Sequence, residues 1–117
     1  PFFGKQPWKK EDNMKYEPLV MHLKVECKGR KNARKGSELE HSLHISGNEL
    51  RRRVNRLRRE GVPIGSSADG YYYAVTAGEV YSTIRQLRAM ANGLEAAIVG
   101  LENALNSFGE NEGGESK

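Results

Sequence analysis

The sequence predicts an α+β fold that is mainly α: short helices closed by one β-hairpin, then a long C-terminal helix. Three observations predict it. Ser37, Ser46 and Thr76 each stand three residues before a glutamate and open an apolar-periodic run, the pattern of a capped helix start. β-Branched and aromatic residues bracket the turn-forming cluster SSADG, residues 66–70. Apolar residues then step by three and four without a break from Ala77 to Phe108.

The chain of 117 residues fits one small domain with extensions. Four segments are expected: a flexible tail at 1–16, a compact domain at 17–75, an oligomerisation helix at 76–108 and a disordered acidic tail at 109–117. Residues 1–16 (PFFGKQPWKKEDNMKY) show no periodicity and carry two prolines, which favours a tail over a docked arm. Pro18 suits the first turn of a helix ending near Cys27, with Leu19, Val20, Leu23 and Cys27 on one face. Lys28 to Gly36 then reads as a basic, glycine-containing loop.

Ser37 is expected to cap the second helix, with Leu39 and Leu43 inward. His44-Ile45 is a tight connector, and Ser46 caps a third helix over Gly47–Glu60. Two capped helices so close together make a helix-turn-helix. On the third helix, Leu50, Val54 and Leu57 form one narrow apolar stripe. At about 100° per residue, the opposite face carries Asn48, Arg52, Asn55 and Arg59, flanked by Arg51 and Arg56. A merely solvated helix usually alternates charge to gain i,i+4 pairs. Here cations dominate, and phosphates alongside would relieve their repulsion.

The hairpin is expected to pair Val62–Gly65 with Tyr71–Val75, with Pro63 on an edge. Alternation places Tyr71 and Tyr73 on one face as hairpin core and turns Tyr72 outward. A stacking platform for single-stranded bases is the lesser reading of these tyrosines. The tip residues Ser66, Ser67 and Asp69 offer no cation to a phosphate.

In the long helix, Ile84, Ala91, Ile98 and Leu105 take heptad position a, and Leu87, Leu94 and Leu101 take d. β-Branched residues at a with Leu at d favour a parallel two-stranded coiled coil. Met90, Ala97 and Ala104 at g, with Gly93 and Gly100, widen the stripe and keep a larger or antiparallel bundle open. Some 32 residues at about 1.5 Å each give a rod of roughly 48 Å.

Net charge is +4, but it is divided unevenly. Residues 1–60 hold sixteen Lys and Arg against eight Asp and Glu, giving +8; residues 61–117 hold three against seven, giving −4. A basic half points to a polyanionic partner. The single cysteine, Cys27, fits a reducing compartment, and no signal-peptide pattern is visible, so a cytoplasmic location is expected. No metal site, cofactor or membrane span is expected, and no catalytic constellation, P-loop or dinucleotide fingerprint is present, so the chain is not expected to be an enzyme.

The element order is that of a winged helix-turn-helix. Ser46–Gly61 followed by GVPIGSSADGYYYA resembles the N-terminal DNA-binding module of the biotin repressor and its winged-helix relatives. Asn55, Leu57, Arg58, Gly61, Val62, Pro63, Ile64, Gly70 and Tyr71 carry the match. The chain also resembles small phage-borne proteins of that type with a C-terminal helix. The resemblance implies an oligomeric binder of double-stranded DNA, a transcription regulator of phage or mobile-element type. It does not extend to biotin-ligase activity. DNA contacts are expected from Asn48, Arg51, Arg52, Asn55, Arg56 and Arg59, and phosphate contacts from Lys31, Arg34 and Lys35 beside Lys28 and Arg30. Self-association is expected through Ile84, Leu87, Ala91, Leu94, Ile98, Leu101 and Leu105. The alternative is a protein-interaction scaffold or adaptor in phage replication or assembly.

Overall fold

A computed structural model describes residues 17–115, with side chains through Phe108. The tail expected at 1–16 lies outside the described residues. The elements run α1 (Pro18–Glu26), a 3-10 turn (Arg30–Asn32), α2 (Gly36–Leu43), α3 (Gly47–Arg59), β1 (Ile64–Ser67), β2 (Gly70–Tyr73) and α4 (Ala77–Glu115). The fold is α+β and mainly α, with a small two-stranded antiparallel sheet. The chain divides into two compact units, one through Thr83 and one from Ile84.

In the first unit, apolar spacing sets what is buried. α1 contributes Leu19, Val20 and Leu23, followed by Cys27; α2 contributes Leu39; α3 contributes Leu50, Val54 and Leu57; the hairpin adds Ile64, Tyr72 and Ala74. Leu50, Val54 and Leu57 are each no more than 2% exposed. Burying such a side chain stabilises by roughly 1.5–3 kcal/mol, against about 0.2–0.5 kcal/mol for an exposed i,i+4 ion pair. The stripe therefore decides which way α3 faces, and the charges follow.

The helix starts hold one correction. Ser46 Oγ accepts from the Glu49 amide at 3.1 Å, and Thr76 Oγ1 from the Glu79 amide at 3.1 Å, as their spacing predicts. Ser37, however, does not cap α2. The helix begins two residues earlier than that cap would place it, at Gly36 with Lys35 in the cap position, and no side chain caps it. The cause is long-range: Arg34 and Tyr71 exchange backbone hydrogen bonds of 3.0 and 2.9 Å. That bridge holds the chain extended up to Arg34, so the turn into the helix starts at Lys35. At the other end His44 takes the left-handed conformation (φ 56°), and the Ile45 amide closes back on the Glu40 carbonyl at 3.1 Å.

The hairpin is shifted from expectation. It pairs Ile64 with Tyr73, Gly65 with Tyr72, Ser66 with Tyr71 and Ser67 with Gly70. Ala68 and Asp69 alone form the turn, while Val62 turns back to accept from the Ile64 amide. The tyrosines are also reversed. Tyr72 is fully buried and Tyr71 and Tyr73 are half-buried. Opposite Tyr72 stands Gly65, whose missing side chain leaves the slot that the ring fills. A stacking role for an outward Tyr72 is thereby ruled out.

β2 is flanked on both sides. β1 pairs along one edge; along the other, the Gly29 amide donates to Tyr73 and the Tyr73 amide to Cys27, both at 2.8 Å, beyond which lies the Arg34–Tyr71 bridge. The expected basic loop is thus partly a third strand-like segment. The outer edge of β1 meets side chains: Arg58 Nε donates to the Ile64 carbonyl at 2.9 Å, and the Ser66 amide donates to Thr83 Oγ1 at 3.1 Å. Glu79 ties the start of α4 down, accepting from the Val75 amide at 2.8 Å and the Arg30 amide at 3.1 Å.

The second unit is the rest of α4. The helix expected to end at Phe108 runs to Glu115, and the side chains of the expected acidic tail lie outside the described residues. Ile84, Leu87, Leu94, Ile98, Leu101 and Leu105 are all exposed, Leu101 to 71%. Among the described residues, no helix is long and apolar enough to cross a membrane.

Candidate nucleic-acid interface

α3 carries the candidate site. Its buried stripe leaves Asn48, Arg51, Arg52, Asn55, Arg56 and Arg59 exposed, on the face the sequence assigns them. Arg52, Asn55, Arg56 and Arg59 line a groove of about 440 Å³ together with Glu49. Three types of polar group thus share one groove: guanidinium, carboxamide and one carboxylate.

The arginines of α3 divide by use. Arg53 and Arg58 serve the fold. Arg53 bonds Glu49 at 2.9 Å and sits 3.8 Å from the Glu17 carboxylate, which also caps α1 through the Val20 amide. Arg58 turns toward the hairpin, bonding the Ile64 carbonyl and Ser66 Oγ. Burial pulls the Arg58 guanidinium pKa down from its usual value, with Tyr71 and Tyr72 as smaller opposing influences. The other four point to solvent. Arg51 bonds the Asn48 side chain, and Arg52 bonds Glu49. Arg56 and Arg59 make no hydrogen bond or ion pair among the described residues.

Glu49 is the residue that sequence reasoning undervalued. Its place in a capping box predicts a bond back to Ser46, yet its carboxylate takes Arg52 and Arg53 instead. Those bonds, Arg53 first and then Arg52, hold its pKa below the ordinary glutamate value. The i,i+3 and i,i+4 spacing to Arg52 and Arg53 was the available signal.

The basic segment is placed elsewhere. Lys28, Arg30 and Lys31 line a separate cavity of about 720 Å³ with Asp69, Val75 and Glu79. Arg34 lies 3.6 Å from Glu26, and Lys35 Nζ donates to the Ala68 carbonyl at the hairpin tip. These cations therefore border the hairpin and the start of α4, and Asp69 and Glu79 offset part of their charge.

What the α3 face can do chemically follows from its groups. Arginine offers paired donors that fit guanine O6 and N7 or a phosphate, and asparagine matches adenine N6 and N7. No family model, curated protein or solved structure matches the chain.

Proposed function

We propose that this protein binds double-stranded DNA through the outward face of α3 and self-associates through α4, acting as a transcription regulator of the winged-helix type in the cytoplasm. The observation that carries the reading is the sorting of the arginines. The fold uses Arg53 and Arg58, while Asn48, Arg51, Arg52, Asn55, Arg56 and Arg59 stay together on one exposed face. Self-association would double that face and define a two-part target site. The half-buried Tyr71 and Tyr73, and a hairpin turn whose own residues carry no cation, favour α3 over the hairpin as the main contact.

The test is a titration of random duplex DNA by fluorescence anisotropy across a series of salt concentrations. Each phosphate neutralised adds about −0.9 to the log–log slope of affinity against salt. The double substitution Arg56→Ala/Arg59→Ala should flatten the slope by about two units per protomer while leaving the melting temperature unchanged, since neither side chain has a partner among the described residues. Absence of duplex binding at low salt, or an unchanged slope, would refute this reading and leave the scaffold alternative.

A further inference from the structure

We infer that a second copy of this chain packs against α4 in antiparallel orientation, with Leu94 stacked on Ile98 across the two-fold axis. The inference rests on the self-association in the proposed function and adds its orientation and register. The starting observation is the exposed seam: among the described residues, Ile84, Leu87, Leu94, Ile98, Leu101, Leu105 and Phe108 are all exposed. A β-branched residue at a with Leu at d argues for parallel strands, but the flanks of the seam argue more strongly the other way.

The flanks are unequal. On one side, position g, stand Met90, Ala97 and Ala104; on the other, position e, stand Arg88, Glu95 and Glu102, all exposed. In a parallel pair each g flank faces the partner's e flank, so Glu95 and Glu102 would meet Met90 and Ala97, Arg88 would meet Thr83, and no ion pair would form. In an antiparallel pair e faces e and g faces g. The apolar flanks then cover each other. In the register that sets Leu94 on Ile98, Leu87 meets Leu105, Ala91 meets Leu101 and Ile84 meets Phe108, so the whole seam is covered. In that same register Arg88 lies beside Glu102 of the second copy, twice by symmetry. One contact opposes this: Glu95 falls near the axis beside its own symmetry mate. Two attractive pairs outweigh one repulsion, and opposed helix dipoles add to the balance. A Cβ added at Gly93 or Gly100 would meet nothing within 4 Å, so the chain's own fold leaves room there for a close neighbour.

Disulfide trapping in the full chain tests orientation. Leu87→Cys and Leu105→Cys are made separately, one with an affinity tag, then mixed and oxidised; the native Cys27 is buried and silent. The expected result is a cross-link only between the two variants. In the antiparallel arrangement two copies of position 87 are about 18 residues apart along the seam, roughly 27 Å, beyond disulfide reach. Cross-linking of Leu87→Cys with itself would overturn the orientation while leaving self-association intact. A monomeric mass by sedimentation would overturn both. Charge exchange tests the register: Arg88→Glu or Glu102→Arg alone should weaken association about tenfold, with two exposed pairs turned repulsive. The combined Arg88→Glu/Glu102→Arg chain should recover it. If the combined chain is no tighter than either single variant, the register is wrong.

Discussion

Gly65→Ala should destabilise the first unit by about 3 kcal/mol, at the upper end of what overpacking costs in a tight core. A Cβ at this position would sit 2.5 Å from Tyr72 Cε2 and 2.7 Å from its hydroxyl oxygen. Carbon atoms rest at about 3.5–4.0 Å, so the ring would have to move by about 1 Å or more. It has no room to do so, because Tyr72 is 0% exposed and its backbone is bonded into the sheet at this very pair. Displacing the ring also withdraws its hydroxyl from the Glu79 carbonyl, 3.4 Å away. For a unit of this size, about 1 kcal/mol shifts the melting midpoint by roughly 4–8 °C, so a loss of about 12–24 °C is expected. The assay is thermal and urea denaturation at one fixed chain concentration, since the proposed self-association would add to apparent stability. A double-mutant cycle with Tyr72→Ala isolates the clash. In the Tyr72→Ala background, Gly65→Ala should cost less than about 1 kcal/mol, the ordinary scale of a single exposed substitution. An equal penalty with and without the ring would refute the account of the slot.

Two further outcomes concern carboxylates. Glu49→Gln should steepen the salt dependence of DNA binding by about one unit, because Arg52 loses its internal partner and becomes available to a phosphate. An unchanged slope would show that Glu49 does not compete with the nucleic acid. Bonds from the Val75 amide first, and then the Arg30 amide, hold the Glu79 pKa below its ordinary value. A carboxylate with a lowered folded-state pKa adds stability above its unfolded value, about 4.3, and loses it as pH falls through the folded value. Glu79→Gln should therefore show a smaller drop in stability between pH 7 and pH 3 than the parent chain, measured by urea midpoint; an identical drop would exclude the clasp as a source of acid sensitivity.

Much of the α3 site was legible because it depends on local geometry. The angle between Leu50, Val54, Leu57 and the arginine face follows from helical periodicity alone, and Ser46 and Thr76 announce their helices by side chains that reach only three residues. What could not be read locally needed register or tertiary contact. Alternation groups Tyr71 with Tyr73 but does not say which face is covered; counting back through a two-residue turn to Gly65 would have placed Tyr72 inward. Lys35 replaces Ser37 at the start of α2 because of a bridge to Tyr71, 37 residues away in sequence. The use of Arg58, which the periodicity already keeps off that face, could not be read locally either, since its acceptor, the Ile64 carbonyl, is in place only once the hairpin has folded back. The unequal flanks of α4 are also present in the letters: positions a and d favour a parallel pair, the apolar g residues keep an antiparallel one open, and only the charges at e stay unweighed in that reading.

The arrangement around β2 bears on how such a chain avoids sticking to the wrong neighbour. Exposed strands with free amides and carbonyls invite edge-to-edge aggregation. Here the inner strand has no bare side, and the outer strand's Ile64 carbonyl and Ser66 amide are already occupied by Arg58 and Thr83. A protein that displays a ladder of uncovered leucines on one helix gains from such blunting. If the proposed self-association occurs, this blunting would leave the helix as the contact and remove the open-ended growth that a naked strand would permit.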